Sequence, residues 1–503
     1  MSKRKLNPKF QPLGGKDLSK DAKRELQTTP DAISSHLRAV TSSDNVPHDE
    51  IVERVCEGLQ RLDFEALANP RGADNFKLNK KHYQVGTTEQ LLLEVNKAGW
   101  GLSSVDDQAM AYNGTHWRPL DKAILANLMR DCALKFGVPY YDAKAAPYQD
   151  ELVKQFHASA RTQRPKSTAG QVLVNLQNGT FELRNGKYRL REHRKADLLT
   201  YMLPFDYDPI ATAPQFQSFL DEVLPDTASQ MLLAEYLGYI FIPNSASGYK
   251  AEKTLILFGS GANGKSVVRD IVEALIGHEN VGAYSLENIT ETKGFYRAQL
   301  SKVLLNYCAE LGNKLHTTIF KQLASGEPVD VAEKYGTPYR MTDYAKLMFN
   351  ANELPRDVEH TDAFFRRFLI LPFEVTIPKE RRDTQLAKRI IEQELSGVFN
   401  WVLQGLHRFM SNGFTHCPAS DAMIHRYRLE SDSVRSFIEG EQYQSSDNRI
   451  YNKDLFETYR SWCIAEGRNA LSNLNVTKRL ASLGYVRKRD NIGNYYNLAR
   501  KGL

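Results

Sequence analysis

Residues 254–268 read TLILFGSGANGKSVV, and no other stretch constrains the chain as strongly. Thr254, Leu255, Ile256, Leu257 and Phe258 form an apolar or β-branched run of strand length, and residues 267–275 carry apolar side chains at helical spacing. Between them Gly259, Ser260, Gly261, Ala262, Asn263, Gly264, Lys265 and Ser266 fit the pattern G-x-x-x-x-G-K-S/T. The chemistry of an anion site explains these residue types. Glycines let backbone N–H groups curl around phosphate oxygens at a helix N-terminus, lysine places a point charge on the β- and γ-phosphates, and serine offers a hydroxyl to Mg²⁺. The sequence therefore predicts a buried strand feeding a triphosphate-binding loop, with Val267 opening the helix behind it and ATP and Mg²⁺ as the expected ligands.

A chain of 503 residues exceeds one core and predicts about three or four domains at roughly 100–200 residues each. No apolar run approaches the roughly 20 residues that span a bilayer, and MSKRKLNPKF lacks the apolar segment of a secretion signal. Membrane association is not expected. Cys56, Cys132, Cys308, Cys417 and Cys463 form no C-x-x-C pair, which argues against a zinc ribbon or a disulfide framework and for a reducing cytoplasm. The net charge of +6 is concentrated at the ends: residues 1–24 hold eight Lys/Arg against two acids, and residues 478–503 hold seven against one. Solvated tails or nucleic-acid contacts both fit such ends.

Residues 1–45 read as a basic flexible arm, and residues 46–100 as a helical segment without an assigned role, with one amphipathic helix over 48–67. Residues 101–245 mix helix and strand around Asn113-Gly114, Asn178-Gly179 and Asn185-Gly186, which are hairpin turn signals. Residues 246–378 continue from the glycine loop. KVLLNYCAE ends an apolar strand on Glu310, a carboxylate placed to hold Mg²⁺ and polarise water, alone or with an acid elsewhere. KQLASGEPVDVAEKY places Lys321 and Lys334 on a helix end and a short basic β segment. AKLMFNANELP ends a strand on Asn350 and Asn352, amides suited to a γ-phosphate. AFFRRFLILPF sets Arg366 and Arg367 before another strand, where an arginine at a subunit edge could stabilise charge on a neighbour's phosphate. Residues 379–430 read as a helical lid. Residues 431–503 read as helix, link, helix and basic wing, with Lys478, Arg479, Arg487, Lys488 and Arg489 as candidate phosphate contacts.

Taken in order, GSGANGKS, KVLLNYCAE, KQLASGEPVDVAEKY, LMFNANELP and FFRRFLILPF resemble the superfamily 3 helicase domain of the phage and plasmid primase-helicase family, related to the poxvirus primase-helicase. YNGTHW, LVNLQNGTFEL and LAEYLGYIF resemble the domain that precedes it. The resemblance covers about residues 100–425. It implies an AAA+-like α/β P-loop ATPase core, preceded by a mixed α+β domain and followed by a helical lid and a winged-helix domain. It further implies Lys265 and Ser266 on the triphosphate and Mg²⁺, Glu310 as the Walker B acid, Asn352 as γ-phosphate sensor, and Arg367, with Arg366 beside it, as arginine finger. Lys334 would sit on a pore hairpin that grips DNA.

The expected function is an ATP-driven DNA helicase for a phage, plasmid or other mobile element in a bacterial host's cytoplasm. It would form a homo-oligomeric ring, a hexamer by resemblance, moving 3′ to 5′ on single-stranded DNA at forks, with a separate primase or loader as partner. Asp106-Asp107 is the only acidic pair that suggests priming chemistry, and as neighbours on a strand they would point apart. No priming activity is expected. Rival readings are an origin-binding initiator, a nucleotide-dependent assembly scaffold and a small-molecule kinase.

Overall fold

The computed structural model describes residues 47–165, 170–246, 248–312, 315–333, 338–355, 358–468 and 470–501. The basic arm and Lys334 lie outside them. The chain divides into two compact units, one comprising the described residues up to Ala213 together with Glu394–Asn400, the other Pro214–Gln393 with Trp401 onward. Among the described residues no helix is long and apolar enough to cross a membrane.

In the first unit, β1 (Gly101–Val105), β2 (Gln108–Tyr112) and β3 (Trp117–Pro119) form one antiparallel meander, and β4 (Gln171–Leu176), β5 (Gly179–Arg184) and β6 (Lys187–Arg191) form another. The turns at Asn113-Gly114 and Asn185-Gly186 fall where the sequence put them, whereas the β4–β5 turn is centred one residue earlier, on Gln177-Asn178, with Gly179 paired to Leu176. Asp106 and Asp107 are instead the two central residues of the β1–β2 hairpin, both at positive φ (51° and 60°), a primed turn that matches the strand twist. Arg164 and Arg161 neutralise them at 2.7 and 3.1 Å. The expected helix over 48–67 is two, His48–Glu57 and Phe64–Ala68. Gly58 ends the first, and Asp63 starts the second by accepting the Ala66 N–H at 2.9 Å, the usual work of an N-cap carboxylate. Helices Lys80–Lys97, Lys122–Phe136 and Ala146–Ser159 pack around Leu91, Met129, Cys132, Leu152 and Phe156.

The second unit is built on a parallel sheet of β7 (Thr254–Phe258), β8 (Val281–Gly282), β9 (Leu305–Cys308), β12 (Lys346–Ala351) and β13 (Phe368–Pro372), in the order β13-β7-β12-β9-β8. Between β9 and β12 the chain forms the antiparallel pair β10 (Val329–Val331) and β11 (Tyr339–Met341). Leu255, Ile256, Leu257 and Phe349, on adjacent central strands, are buried whichever face they point to, as expected of strands covered on both faces. The chain closes with helices Ser433–Gly440, Asn452–Ala465 and Asn473–Ser482 and strands β14 (Tyr443–Tyr451), β15 (Lys488–Arg489) and β16 (Asn494–Arg500), paired β14-β16-β15.

Helix Leu386–Asn412 crosses helix Thr227–Tyr239 with no room for side chains at the crossing. A Cβ on Gly405 would lie 2.3 Å from the Ala234 carbonyl, and one on Gly238 would lie 2.7 Å from the Leu406 backbone. Beside the crossing, buried Glu235 accepts Arg408 Nε at 3.1 Å, the Thr415 N–H at 2.7 Å and Thr415 Oγ1 at 2.6 Å. Gly405→Ala must therefore spread the two backbones, and should lower stability by about 2–3 kcal/mol. The midpoint of chemical unfolding, followed by Trp401 fluorescence on the same helix, measures this. An unchanged midpoint would contradict so close a crossing.

Candidate functional site

The sheet order turns around at β7 and β12, and ligands of open parallel sheets sit beyond the carboxyl ends of strands at such a switch. Leaving β7, the chain forms the loop Gly259 to Gly264 and enters helix Lys265–Ile276. Gly261 and Gly264 adopt φ of 112° and 84°, and even Ala262 is at 53°, so the loop curls as side-chain-bearing residues rarely do. A Cβ on Gly259 would come within 2.4 Å of the Phe373 carbonyl oxygen, whereas around Gly261 there is open space. Two hydrogen bonds with the segment that follows β13 fix the curl: Asn263 Nδ2 donates to the Phe373 carbonyl at 2.8 Å, and the Ile377 N–H donates to the Ala262 carbonyl at 2.8 Å.

Lys265 folds back into this loop. Its Nζ donates to the Gly259 carbonyl at 2.6 Å and to Asn263 Oδ1 at 3.1 Å, and burial draws its pKa below the ordinary lysine range. A half-dehydrated ammonium held only by neutral oxygens has much to gain from an anion. Ser266 is exposed on the first turn of the helix, and Val267 half-buried. The backbone N–H groups of that turn and the positive end of the helix dipole add to the field. The donors and the open space at Gly261 suit a polyphosphate with its cation.

Register places the other candidates along the same rim. Ala351 pairs with Phe258 and Phe349 with Cys308. Glu310 follows the end of β9 by two residues and Asn352 follows β12 by one, so both lie past the carboxyl ends of their strands, as Gly259 lies past β7. Glu310 and Asn352 are both exposed there. Asn350 is buried, its Oδ1 accepting the Tyr307 hydroxyl at 2.9 Å, which leaves Asn352 as the outward amide. The Tyr307–Asn350 bond stiffens the strand tips, and nothing in sequence spacing pointed to it.

Both arginines lie at the opposite edge. Arg367 precedes β13, and its carbonyl accepts the Thr254 N–H at 2.7 Å, at the start of β7. The Arg367 side chain is 9% exposed. Its Nε donates to Ser325 Oγ at 3.0 Å and the Lys321 carbonyl at 3.2 Å, its Nη2 to Ser325 Oγ at 2.9 Å, and its Nη1 to the Ala363 carbonyl. Arg366 is 62% exposed and meets Glu252 at 3.1 Å. About seven strand residues separate the pair from the loop rim, roughly 20 Å.

The remaining basic candidates divide. Lys321 is engaged by Glu359 at 2.8 Å, and Arg479 by the buried Asp432 at 2.5 Å. Lys478, Arg487, Lys488 and Arg489 are exposed.

The fold is thus that of an α/β protein with a central parallel sheet, helices on its faces, and a glycine loop at the switch point. Residues 90–225 match the family described as "D5 N terminal like", and residues 257–367 match a "Family of unknown function (DUF5906)". These matches relate the chain to the D5-like primase-helicases, with the D5-like segment confined to residues 90–225. The chain is 22% identical over 323 residues to "Putative helicase L207/L206" of Acanthamoeba polyphaga mimivirus, covering 58% of this chain and 33% of that one. It is also 22% identical over 347 residues to "Putative helicase 121R" of Invertebrate iridescent virus 3, covering 60% and 36%. The chain spans about a third of the length of these relatives. Among solved structures, the apo C-terminal region of NrS-1 aligns at 13% identity and TM-score 0.47, over 82% of this chain and 98% of that one.

Proposed function

We propose that this chain is the motor of a DNA helicase, an ATPase of the superfamily 3, AAA+-like kind whose nucleotide sites are completed between protomers of a ring, six by resemblance. One observation carries the proposal. The loop rim with Lys265, Ser266, Glu310 and Asn352 lies at one edge of the sheet, and the exposed Arg366 at the other. An arginine that cannot reach its own loop serves a neighbour's, and head-to-tail contacts of that kind close into rings. We assign Arg366 rather than Arg367 as the finger, because buried Arg367 is spent on Ser325 and backbone carbonyls. Arg367 instead braces the strand that carries Arg366.

In this reading Lys265 would exchange the Gly259 carbonyl for the β- and γ-phosphates, Ser266 and Glu310 would hold Mg²⁺, Glu310 would also orient the attacking water, and Asn352 would report the γ-phosphate. Mg²⁺, when bound, draws charge from the phosphate oxygens and so eases their separation. The described residues receive the motor role and no priming step. Stepping on repeated backbone phosphates needs no base readout, and by family resemblance it runs 3′ to 5′ on single strands. The β10–β11 pair flanks Lys334 and is the segment we assign to the strand grip.

ATP turnover with and without single-stranded DNA tests the reading, with Glu310→Gln in parallel. We expect DNA to stimulate turnover and Glu310→Gln to reduce it at least a hundredfold. Turnover indifferent to DNA would reject the motor. Full function retained by Glu310→Gln would favour the scaffold.

A further inference from the structure

Part of the last domain's positive charge is uncommitted and clusters along helix Asn473–Ser482 and the β15 arm. Arg435, Arg449, Arg479 and Arg500 are each paired with an acid, respectively Glu439, Asp490, Asp432 and Glu441, at 2.5–3.2 Å. Among the described residues, Lys478 on helix Asn473–Ser482 and Arg487, Lys488 and Arg489 on the β15 arm have no such partner, and all four are exposed. Between the β15 and β16 arms the chain turns at residues 490–493. Asp490 Oδ1 accepts the N–H groups of Ile492 at 2.9 Å and Gly493 at 3.0 Å, and the Asp490 N–H donates to the Gly493 carbonyl at 3.0 Å. Asp490 Oδ2 accepts the Tyr451 hydroxyl at 3.1 Å and Arg449 Nη1 at 3.2 Å, which ties the turn to β14. On this stiffened tip Ile492 is 79% exposed.

An aliphatic side chain held in solvent at the tip of an arm that carries three free cations calls for a partner that is anionic yet offers apolar surface. Stacked base pairs behind phosphates are such a partner. Single strands bind best on aromatic platforms, and here the wing's Tyr495 and Tyr496 are buried. Helix Asn473–Ser482, at about 15 Å long, fits a major groove about 12 Å wide. It turns Asn475, Lys478 and Ser482 outward and buries Val476 and Leu480. Arg479, on its inner side, anchors it to Asp432, the N-cap of helix Ser433–Gly440.

We propose that this domain docks on duplex DNA with helix Asn473–Ser482 in the major groove and the 490–493 turn in the minor groove, where Ile492 enters between base steps and partly unstacks them. Arg487, Lys488 and Arg489 hold the flanking phosphates. Apolar wedges of this kind open minor-groove steps in architectural DNA-binding proteins. The proposal rests on the DNA reading above and gives the motor a duplex anchor distinct from the strand it moves on.

The test uses the full chain without nucleotide, and a 30-base-pair duplex carrying 2-aminopurine at alternate steps, with the single strand and anionic phosphatidylglycerol vesicles as competitors. Wild type should prefer the duplex and raise the 2-aminopurine signal. Ile492→Ser should lose that signal and weaken duplex binding about tenfold with an unchanged salt slope. The combined Arg487→Ala, Lys488→Ala and Arg489→Ala variant should lower the salt slope by about three. Both sites are exposed, so unchanged melting curves verify the fold. Ile492→Ser keeping affinity and signal, or wild type preferring the vesicles, would overturn the wedge. Because no nucleotide is present, the outcome is independent of turnover: duplex unstacking by a protein whose ATPase ignores single strands would keep the wedge and reject the motor.

Discussion

Arg366→Ala should lower ATP turnover by about a thousandfold or more, the range seen when arginine fingers are lost, while leaving the melting temperature within about a degree. Arg367→Ala should do the reverse. Arg366 is exposed and makes one surface pair, with Glu252, and such pairs contribute about 0–1 kcal/mol. Its removal therefore costs the fold little. The Arg367 guanidinium is buried and supplies the protons for Ser325 Oγ and for two carbonyls. Truncation leaves those acceptors dry and unmatched, at a cost of about 2–4 kcal/mol, which should lower the melting temperature by several degrees. Turnover at saturating ATP and a thermal melt, run on both variants, decide the matter. A dead Arg367→Ala with wild-type melting, beside an active Arg366→Ala, would return the finger to Arg367.

That distinction was beyond the sequence, where Arg366 and Arg367 are interchangeable neighbours. Only the fold reveals that one faces Ser325, 42 positions away, and the other faces solvent. The same limit applies to Lys321 and Arg479, whose partners Glu359 and Asp432 lie 38 and 47 positions off. By contrast, the strand, loop and helix from Thr254 to Ile276 were legible almost to the residue, because glycine placement, a continuous apolar run and helical spacing are local properties. The turns at Asn113-Gly114 and Asn185-Gly186 were legible for the same reason, and the one at Asn178-Gly179 to within a residue.

Helix Lys80–Lys97 lies within the segment 46–100 that was read as helical, but its own bounds were not legible, because Thr87 and Thr88 occupy half of its buried positions, with Leu91 and Val95, and threonine does not register as an apolar stripe. Helix Ala146–Ser159 carries a regular inward series, Tyr148, Leu152 and Phe156. Pro147 at its start masked it, although proline in the first turn is a helix beginning. Strand β14, YQSSDNRIY, has an irregular, largely exposed pattern with a register shift between Ser445 and Arg449, so no alternation announced it. Asp106-Asp107 was weighed as strand carboxylates because aspartate at positive φ is a backbone property that the side-chain pattern does not encode.

Lys265→Ala should abolish turnover, since it removes the ammonium that the loop holds against the Gly259 carbonyl. The stronger test mixes this variant with Arg366→Ala. If each site takes its loop from one protomer and its arginine from the next, a random equimolar ring contains interfaces in which an intact Lys265 meets an intact Arg366. These make up about a quarter of all interfaces in a head-to-tail ring. Two inactive proteins should then regain about a quarter of wild-type turnover when mixed and reassembled, provided sites fire independently. The roughly 20 Å between Arg366 and its own loop makes recovery the necessary consequence of a shared site. Mixed rings that assemble to wild-type mass yet stay inactive would break the link between the two sheet edges and, with it, the ring on which the motor reading depends.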